Sequence, residues 1–234
     1  GTHPGTGRQQ PDDSGDSLMR IAITQRVEQV PGYEERRDCL DQRWTSLMEG
    51  LGIDLVPVPN GLQSPASWLE RQAVAGLILS GGNDLCHLPN ATNTSPERDF
   101  TERSLLTKAR ELSLPVMGVC RGMQALNHFL GGNLAPVSGH VNCLHAVHNR
   151  PETQEQFLAY SSVNSFHSWG VRPVDLADNL LAQAWADDGT VEAFVHTQLP
   201  WMAIMWHPER PSSNTLYDAQ LIRQFFFGKD TPCA

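Results

Sequence analysis

Short apolar runs alternate with segments of mixed polarity along most of this chain. The runs 19-MRIAITQ, 53-IDLVPVP, 74-VAGLILS and 115-PVMGV are rich in aliphatic residues and nearly free of charge, as strands buried on both faces are. Leu40, Trp44, Leu47 and Leu51 recur at helical spacing, which predicts a helix across Tyr33 to Gly50 with those side chains in the core. The stretch 97-ERDFTERSLLTKARELS reads as a helix with one charged and one apolar face. Beyond residue 132 the pattern is less regular until 191-VEAFVH and 201-WMAIMWH, which read as a paired set of strands. A final helix is predicted over 216-LYDAQLIRQFFFG. Strands separated by helices imply an α/β domain, with a central, mostly parallel sheet covered by helices on both faces and a small antiparallel strand set. No internal repeat interrupts this plan. One domain is placed at 18–229. Residues 1–17, dominated by Gly, Pro, Ser and Asp, lack the apolar surface to offset their ordering entropy and read as a flexible tail. Residues 230–234 read as a C-terminal tail.

Composition narrows the function. A net charge of −9 argues against a nucleic-acid partner, which needs a broad basic face. No apolar run approaches the roughly 20 residues of a membrane helix, and no secretion signal opens the sequence, so a cytoplasmic, non-membrane protein is expected. Five cysteines without paired spacing argue against a disulfide framework and leave a reduced, reactive thiol chemically available.

One thiol stands out. In 115-PVMGVCRGMQALNHFLGG-132, an extended segment runs directly into a helix, and Cys120 sits at the junction between Gly118 and Gly122. Ligands of parallel sheets bind beyond the C-terminal strand ends, and a sharp strand-to-helix turn presents its central residue there. The helix N-terminus favours a thiolate, and the Arg121 N–H is free to donate to an oxyanion. A buried cysteine packing as a small hydrophobe is the plainer account, and the motif's position argues against it. The base expected for this nucleophile is His207, in 205-MWHPER, with Glu209 to orient it across Pro208. Gly82, in 80-SGGND, is the second expected oxyanion donor. A phosphate loop is a poor account of that stretch, because its lysine and hydroxyl are missing.

Taken together, 80-SGGND, 118-GVCRGMQ, 163-VNSFH and 206-WHPE resemble the class I glutamine amidotransferase-like family, in the expected order and over nearly the whole chain after residue 18. Within it the chain looks like the free-standing γ-glutamyl hydrolases. The pieces 21-IAITQR, 77-LILSGGNDL, 192-EAFVH and 205-MWHPER look closer to the γ-glutamyl-CDP-amidate hydrolases than to those acting on γ-glutamyl-γ-aminobutyrate. The resemblance implies a flavodoxin-like sheet of seven or more strands and a Cys120–His207–Glu209 triad. It also implies a glutamyl pocket lined by Gln124 and the Ser165–His167 segment; Gly81, Asn83, Asn164 and Phe166 are placed with these. The substrate implied is a small γ-glutamyl amide, cleaved to glutamate and an amine. For a diphosphate on that substrate, Arg26 is the candidate, with Arg36 and Arg37 behind it, against a solvated helix face as the bland account.

Three rival readings stand beside this one. A glutaminase subunit would feed ammonia to a synthetase. An α/β-hydrolase would use Asp187 or Asp188 as its acid. A non-catalytic module would keep the fold without the reaction. His140, Cys143, His145 and His148 have metal-ligating side chains but no second paired cluster, so no metal and no cofactor are expected. Of the tryptophans, only Trp169 is placed at the pocket. A homodimer is left open.

Overall fold

A computed structural model describes residues 18–228; the two expected tails lie outside them. The chain opens with β1 (Met19–Ile23), then an antiparallel hairpin of β2 (Arg26–Gln29) and β3 (Arg36–Cys39), and α1 (Gln42–Glu49). Next come β4 (Ile53–Pro57), α2 (Pro65–Gln72), β5 (Gly76–Leu79), α3 (Pro96–Leu112), β6 (Val116–Val119) and α4 (Arg121–Phe129). A strand-rich stretch follows: β7 (Ala135–Pro136), β8 (Val141–His148), β9 (Ser162–Phe166), β10 (Trp169–Gly170), β11 (Leu180–Ala186), β12 (Val191–His196) and β13 (Trp201–Ile204). Helix α5 (Thr215–Phe227) closes the fold.

Nine strands form one sheet in the order β4-β1-β5-β6-β13-β12-β11-β8-β9. The first five are parallel and the last four continue antiparallel. Strands β5, β6 and β13 are buried at every position, which is why they read as unbroken apolar runs rather than alternating ones. The single α/β domain is as expected, but its antiparallel part is larger than the small set anticipated. Among the described residues, no helix is long and apolar enough to cross a membrane.

The helix predicted from Tyr33 to Gly50 is corrected. Only Gln42–Glu49 is helical, capped by the Asp41 carboxylate, which accepts from the Arg43 N–H at 2.9 Å. The residues before it belong to the hairpin, whose turn contains Pro31 and Gly32, the latter at φ +79°. Arg26, Arg36 and Arg37 therefore lie on strands, not on a helix face. Helix α3 has a full set of end signals: Ser95 caps it, Pro96 starts it, and Glu97 and Asp99 lie in its first turn.

Candidate active site

Cys120 follows the buried strand β6 and caps α4 with backbone angles φ +53° and ψ −109°, a conformation side-chain-bearing residues rarely adopt. The flanking glycines make this turn sterically possible. A Cβ on Gly118 would lie 2.6 Å from the Gly122 carbonyl oxygen, and one on Gly122 only 2.0 Å from that of Leu79 on β5. The Cys120 side chain makes no capping hydrogen bond to the first N–H groups of α4.

The next strand in the sheet brings the expected base. Val119 on β6 pairs with Ile204 on β13, and the Cys120 N–H donates to the Ile204 carbonyl at 2.9 Å. Three residues beyond β13, His207 sits beside the thiol, 4% exposed, and its Nδ1 lies 2.6 Å from Glu209 Oε1. Burial acts to lower the His207 pKa, but Cys120 and Glu209 outweigh it and raise it to about 9. At neutral pH the ring therefore carries a proton, and both neighbours favour that state. Asn164 clamps the His207 backbone on both sides, accepting from its N–H at 2.8 Å and donating to its carbonyl at 3.0 Å.

The 80–83 loop is held from behind by Arg98, which is fully buried on α3. Its guanidinium donates to the carbonyls of Ser80 (2.7 Å), Gly81 (3.0 Å) and Gly82. A trans peptide points its N–H opposite its carbonyl, so the Gly82 N–H faces away from Arg98. Gly82 lines the same cleft as Cys120. Arg98 pairs with Glu102, which also pairs with Arg121, and Arg121 reaches Asp99 as well. Burial acts to raise the Glu102 pKa, yet the two arginines hold it below the usual carboxylate range. The Arg121 side chain is thus committed to the interior, leaving only its backbone for the cleft.

That cleft, of ≈ 250 Å³, is lined by Gly82, Asn83, Cys120, Gln124, Phe166 and Trp169, together with His167. Gln124 donates to the Trp169 carbonyl at 3.0 Å. The Asn83 side chain is occupied by Val27, Asn93 and Arg98. Ser165, expected along the glutamyl pocket, donates its hydroxyl to the His140 carbonyl at 2.8 Å and is buried. Gly81 packs against His207, since a Cβ there would meet the ring at 2.9 Å. Arg26 lies against Gly82 and borders a small adjoining cleft with His207, Glu209 and Arg210. Arg36 and Arg37 are paired with Glu97 and Glu35. Asp187 and Asp188 bond His148 and His140, not His207, which removes the α/β-hydrolase assignment of the acid.

Residues 21–209 match the Peptidase C26 family, and that span runs from β1 through Glu209. The chain belongs to this glutamine amidotransferase-like family. The γ-glutamyl-CDP-amidate hydrolase of Campylobacter jejuni is 32% identical to this chain over 210 residues, covering 89% of this chain and 98% of that protein. The carbamoyl phosphate synthase small chain of Metallosphaera sedula is 34% identical over 168 residues, covering 70% of this chain and 40% of that protein. In fold, the chain is similar to a glutamine amidotransferase from Thermotoga maritima, with a TM-score of 0.63 at 14% identity, over 89% of this chain and 96% of the other.

The sequence pattern did not single out Arg98 or Arg210. Arg98 had a signal: it stands seven residues before Leu105, on the helix face that carries Leu105, Leu106 and Ala109. Asn164 was named as a pocket residue, but its bonds go to the His207 backbone. Arg210 directly follows the 206-WHPE motif and stacks over the Phe166 ring at 4.0 Å.

Proposed function

We propose that this protein is a cysteine hydrolase that cleaves a γ-glutamyl amide to glutamate and an amine, with Cys120 as nucleophile, His207 as acid and base, and Glu209 as its orienting carboxylate. The observation that carries this reading is the imidazole held by Glu209 on one nitrogen and set beside the Cys120 sulfur. The thiolate adds to the γ-carbonyl, and the oxyanion is held by the Gly82 and Arg121 N–H groups. As the C–N bond breaks, His207 donates its proton to the departing nitrogen, leaving a γ-glutamyl thioester. Water then loses a proton to His207 and attacks the thioester, releasing glutamate and regenerating the thiolate–imidazolium pair. Gln124, Phe166 and Trp169 are assigned to the glutamyl end of the substrate.

The leaving group we favour is cytidine diphosphoramidate, so that the substrate is γ-glutamyl-CDP-amidate. The similarity to the Campylobacter jejuni hydrolase over nearly the full length of both chains supports it. Arg26 and Arg210 at the rim of the adjoining cleft supply guanidinium groups suited to a diphosphate on an otherwise acidic protein. The test is glutamate release from γ-glutamyl-CDP-amidate, γ-glutamyl-γ-aminobutyrate and L-glutamine at equal concentration. The first is expected to turn over fastest; faster turnover of the second would overturn the assignment. The likeness to carbamoyl phosphate synthase small chains favours a second reading, a glutaminase subunit, for which L-glutamine would be the best of the three.

The pH dependence follows from His207. Its raised pKa places the protonated ring in the resting enzyme, so kcat/KM is expected to fall as pH rises through about 9. Glu209 is one of the groups raising that pKa, so Glu209→Gln moves this alkaline limb to lower pH. The same variant is expected to lower kcat by about 10²-fold or more. An unmoved limb in Glu209→Gln would remove Glu209 from the assigned role.

A further inference from the structure

Behind the wall of the cleft, three histidines and a glutamate converge. His140 immediately precedes β8, His145 lies on β8, His167 follows β9, and Glu192 lies on β12. One ligand atom from each lies within 4.8 Å of the others. Glu192 is 1% exposed, His140 4% and His167 5%. Glu192 Oε1 is 3.6 Å from His140 Nδ1, 3.4 Å from His145 Nε2 and 3.8 Å from His167 Nε2.

These separations exceed hydrogen-bond length. None of the three inward nitrogens, nor either Glu192 oxygen, has a well-formed hydrogen bond, although all are buried. Three imidazole nitrogens and a carboxylate converge on one point without a hydrogen bond among them, an arrangement a cation would satisfy. The outward nitrogens are all engaged. His140 Nε2 meets Asp188 Oδ2 at 2.6 Å, His145 Nδ1 the Ala146 carbonyl at 3.0 Å, and His167 Nδ1 the Trp169 carbonyl at 2.8 Å. With an acceptor on each outward nitrogen, the tautomer protonated there would leave the inward nitrogen free to bind a metal.

We infer that His140, His145, His167 and Glu192 form a closed four-ligand site for a divalent transition metal, with zinc the best match. A tetrahedron with bonds of about 2.0 Å has edges of about 3.3 Å, only slightly shorter than the carboxylate-to-imidazole distances here. Nitrogen-rich donors with one carboxylate suit zinc better than magnesium or calcium, which take oxygen ligands. Four protein ligands leave no open position, so the role is structural. The metal would tie β8, β9 and β12 together. Through His167 it would fix the Trp169 carbonyl, which also receives Gln124 in the substrate cleft. Cys143 and His148 are outside the set: Cys143 donates to the Gly139 carbonyl, and His148 pairs with Asp187.

The test is metal binding by the whole protein, read without substrate and therefore independent of the γ-glutamyl reading. After chelator dialysis, titration with zinc chloride is expected to show one equivalent bound and a rise in Tm. Cobalt(II) in its place should give the intense visible bands of four-coordinate geometry. Glu192→Gln should weaken zinc binding by at least 100-fold, and Asp188→Asn, on the outer nitrogen of His140, by about 10–100-fold. Cys143→Ser and His148→Ala should bind as the parent does. Circular dichroism on each apo variant separates lost ligation from lost fold. Absence of stoichiometric binding, a six-coordinate cobalt spectrum, or unchanged affinity in both folded Glu192→Gln and Asp188→Asn would overturn the site.

Discussion

Cys120→Ala is expected to lower glutamate release by about 10⁴- to 10⁶-fold, as removal of a nucleophile that acts with its base as one unit does elsewhere. The backbone at this position is in a conformation rare for any residue with a Cβ, and alanine meets the same restriction, so the turn itself is not relieved. Substrate binding should survive: the γ-glutamyl compound is expected still to raise the Tm of the variant. The His207 pKa, held up by both Cys120 and Glu209, should fall when the sulfur is lost, which NMR titration of the ring would read. Acid-quenched wild-type enzyme should carry a glutamyl adduct on Cys120 by mass spectrometry, and the variant none. Activity in Cys120→Ala comparable to the parent would end the cysteine mechanism.

Arg98→Met is the second large effect expected. Arg98 is fully buried, and its loss leaves the carbonyls of Ser80, Gly81 and Gly82 without their donor. It also breaks an ion pair with buried Glu102. Removing one partner of such a pair costs about 3–5 kcal/mol, which a shift of the urea midpoint at unchanged m-value would measure. The catalytic consequence is separate. With its carbonyls released, the 80–83 loop can rotate its peptide planes, and the Gly82 N–H leaves the position an oxyanion donor needs. At a temperature where the variant is fully folded, kcat should fall while KM changes little. Arg98→Lys keeps a charge but lacks the planar fork, so it should recover part of the stability and little of the rate. A folded Arg98→Met with parental kcat would remove the loop from the chemistry.

The buried half of the sheet was legible because its strands are apolar on both faces, and β5, β6 and β13 announce themselves as unbroken runs. The hairpin of β2 and β3 was not. Only Val27 within it is buried, so there is no two-residue alternation to see, and the helical spacing that starts at Leu40 was extended backwards over it. Pro31-Gly32 lies just before the predicted helix and marks a turn, but with no alternation on either side it does not mark a strand pair. Helix α2 is eight residues with few buried side chains, and its Ser-Pro start was its main mark. Strands β8, β9 and β11 were obscured because polar side chains interrupt their apolar pattern: His145 and His148 on β8, Asn164 on β9 and Gln183 on β11, the last two buried.

At the site, sequence order was informative where residues are neighbours along the chain. The elbow around Cys120 and the His207–Glu209 pair are local, and each was readable as a unit. Asn164 and Arg98 act across 43 and 16 to 18 residues of separation, so their partners were beyond the reach of any local pattern. The histidine cluster shows the same limit. His140 and His145 were noticed together with Cys143 and His148, but the strand geometry turns the last two elsewhere and brings in His167 and Glu192.

Cys120 and His207 stand at the ends of two adjacent parallel strands, β6 and β13, although the chain makes an excursion of more than eighty residues between them. The proposed nucleophile and base are thus anchored to the frame of the sheet, while Phe166 and Trp169 belong to the excursion. A lineage of such proteins can rewrite that detour, and with it the molecule admitted, without disturbing where sulfur meets imidazole.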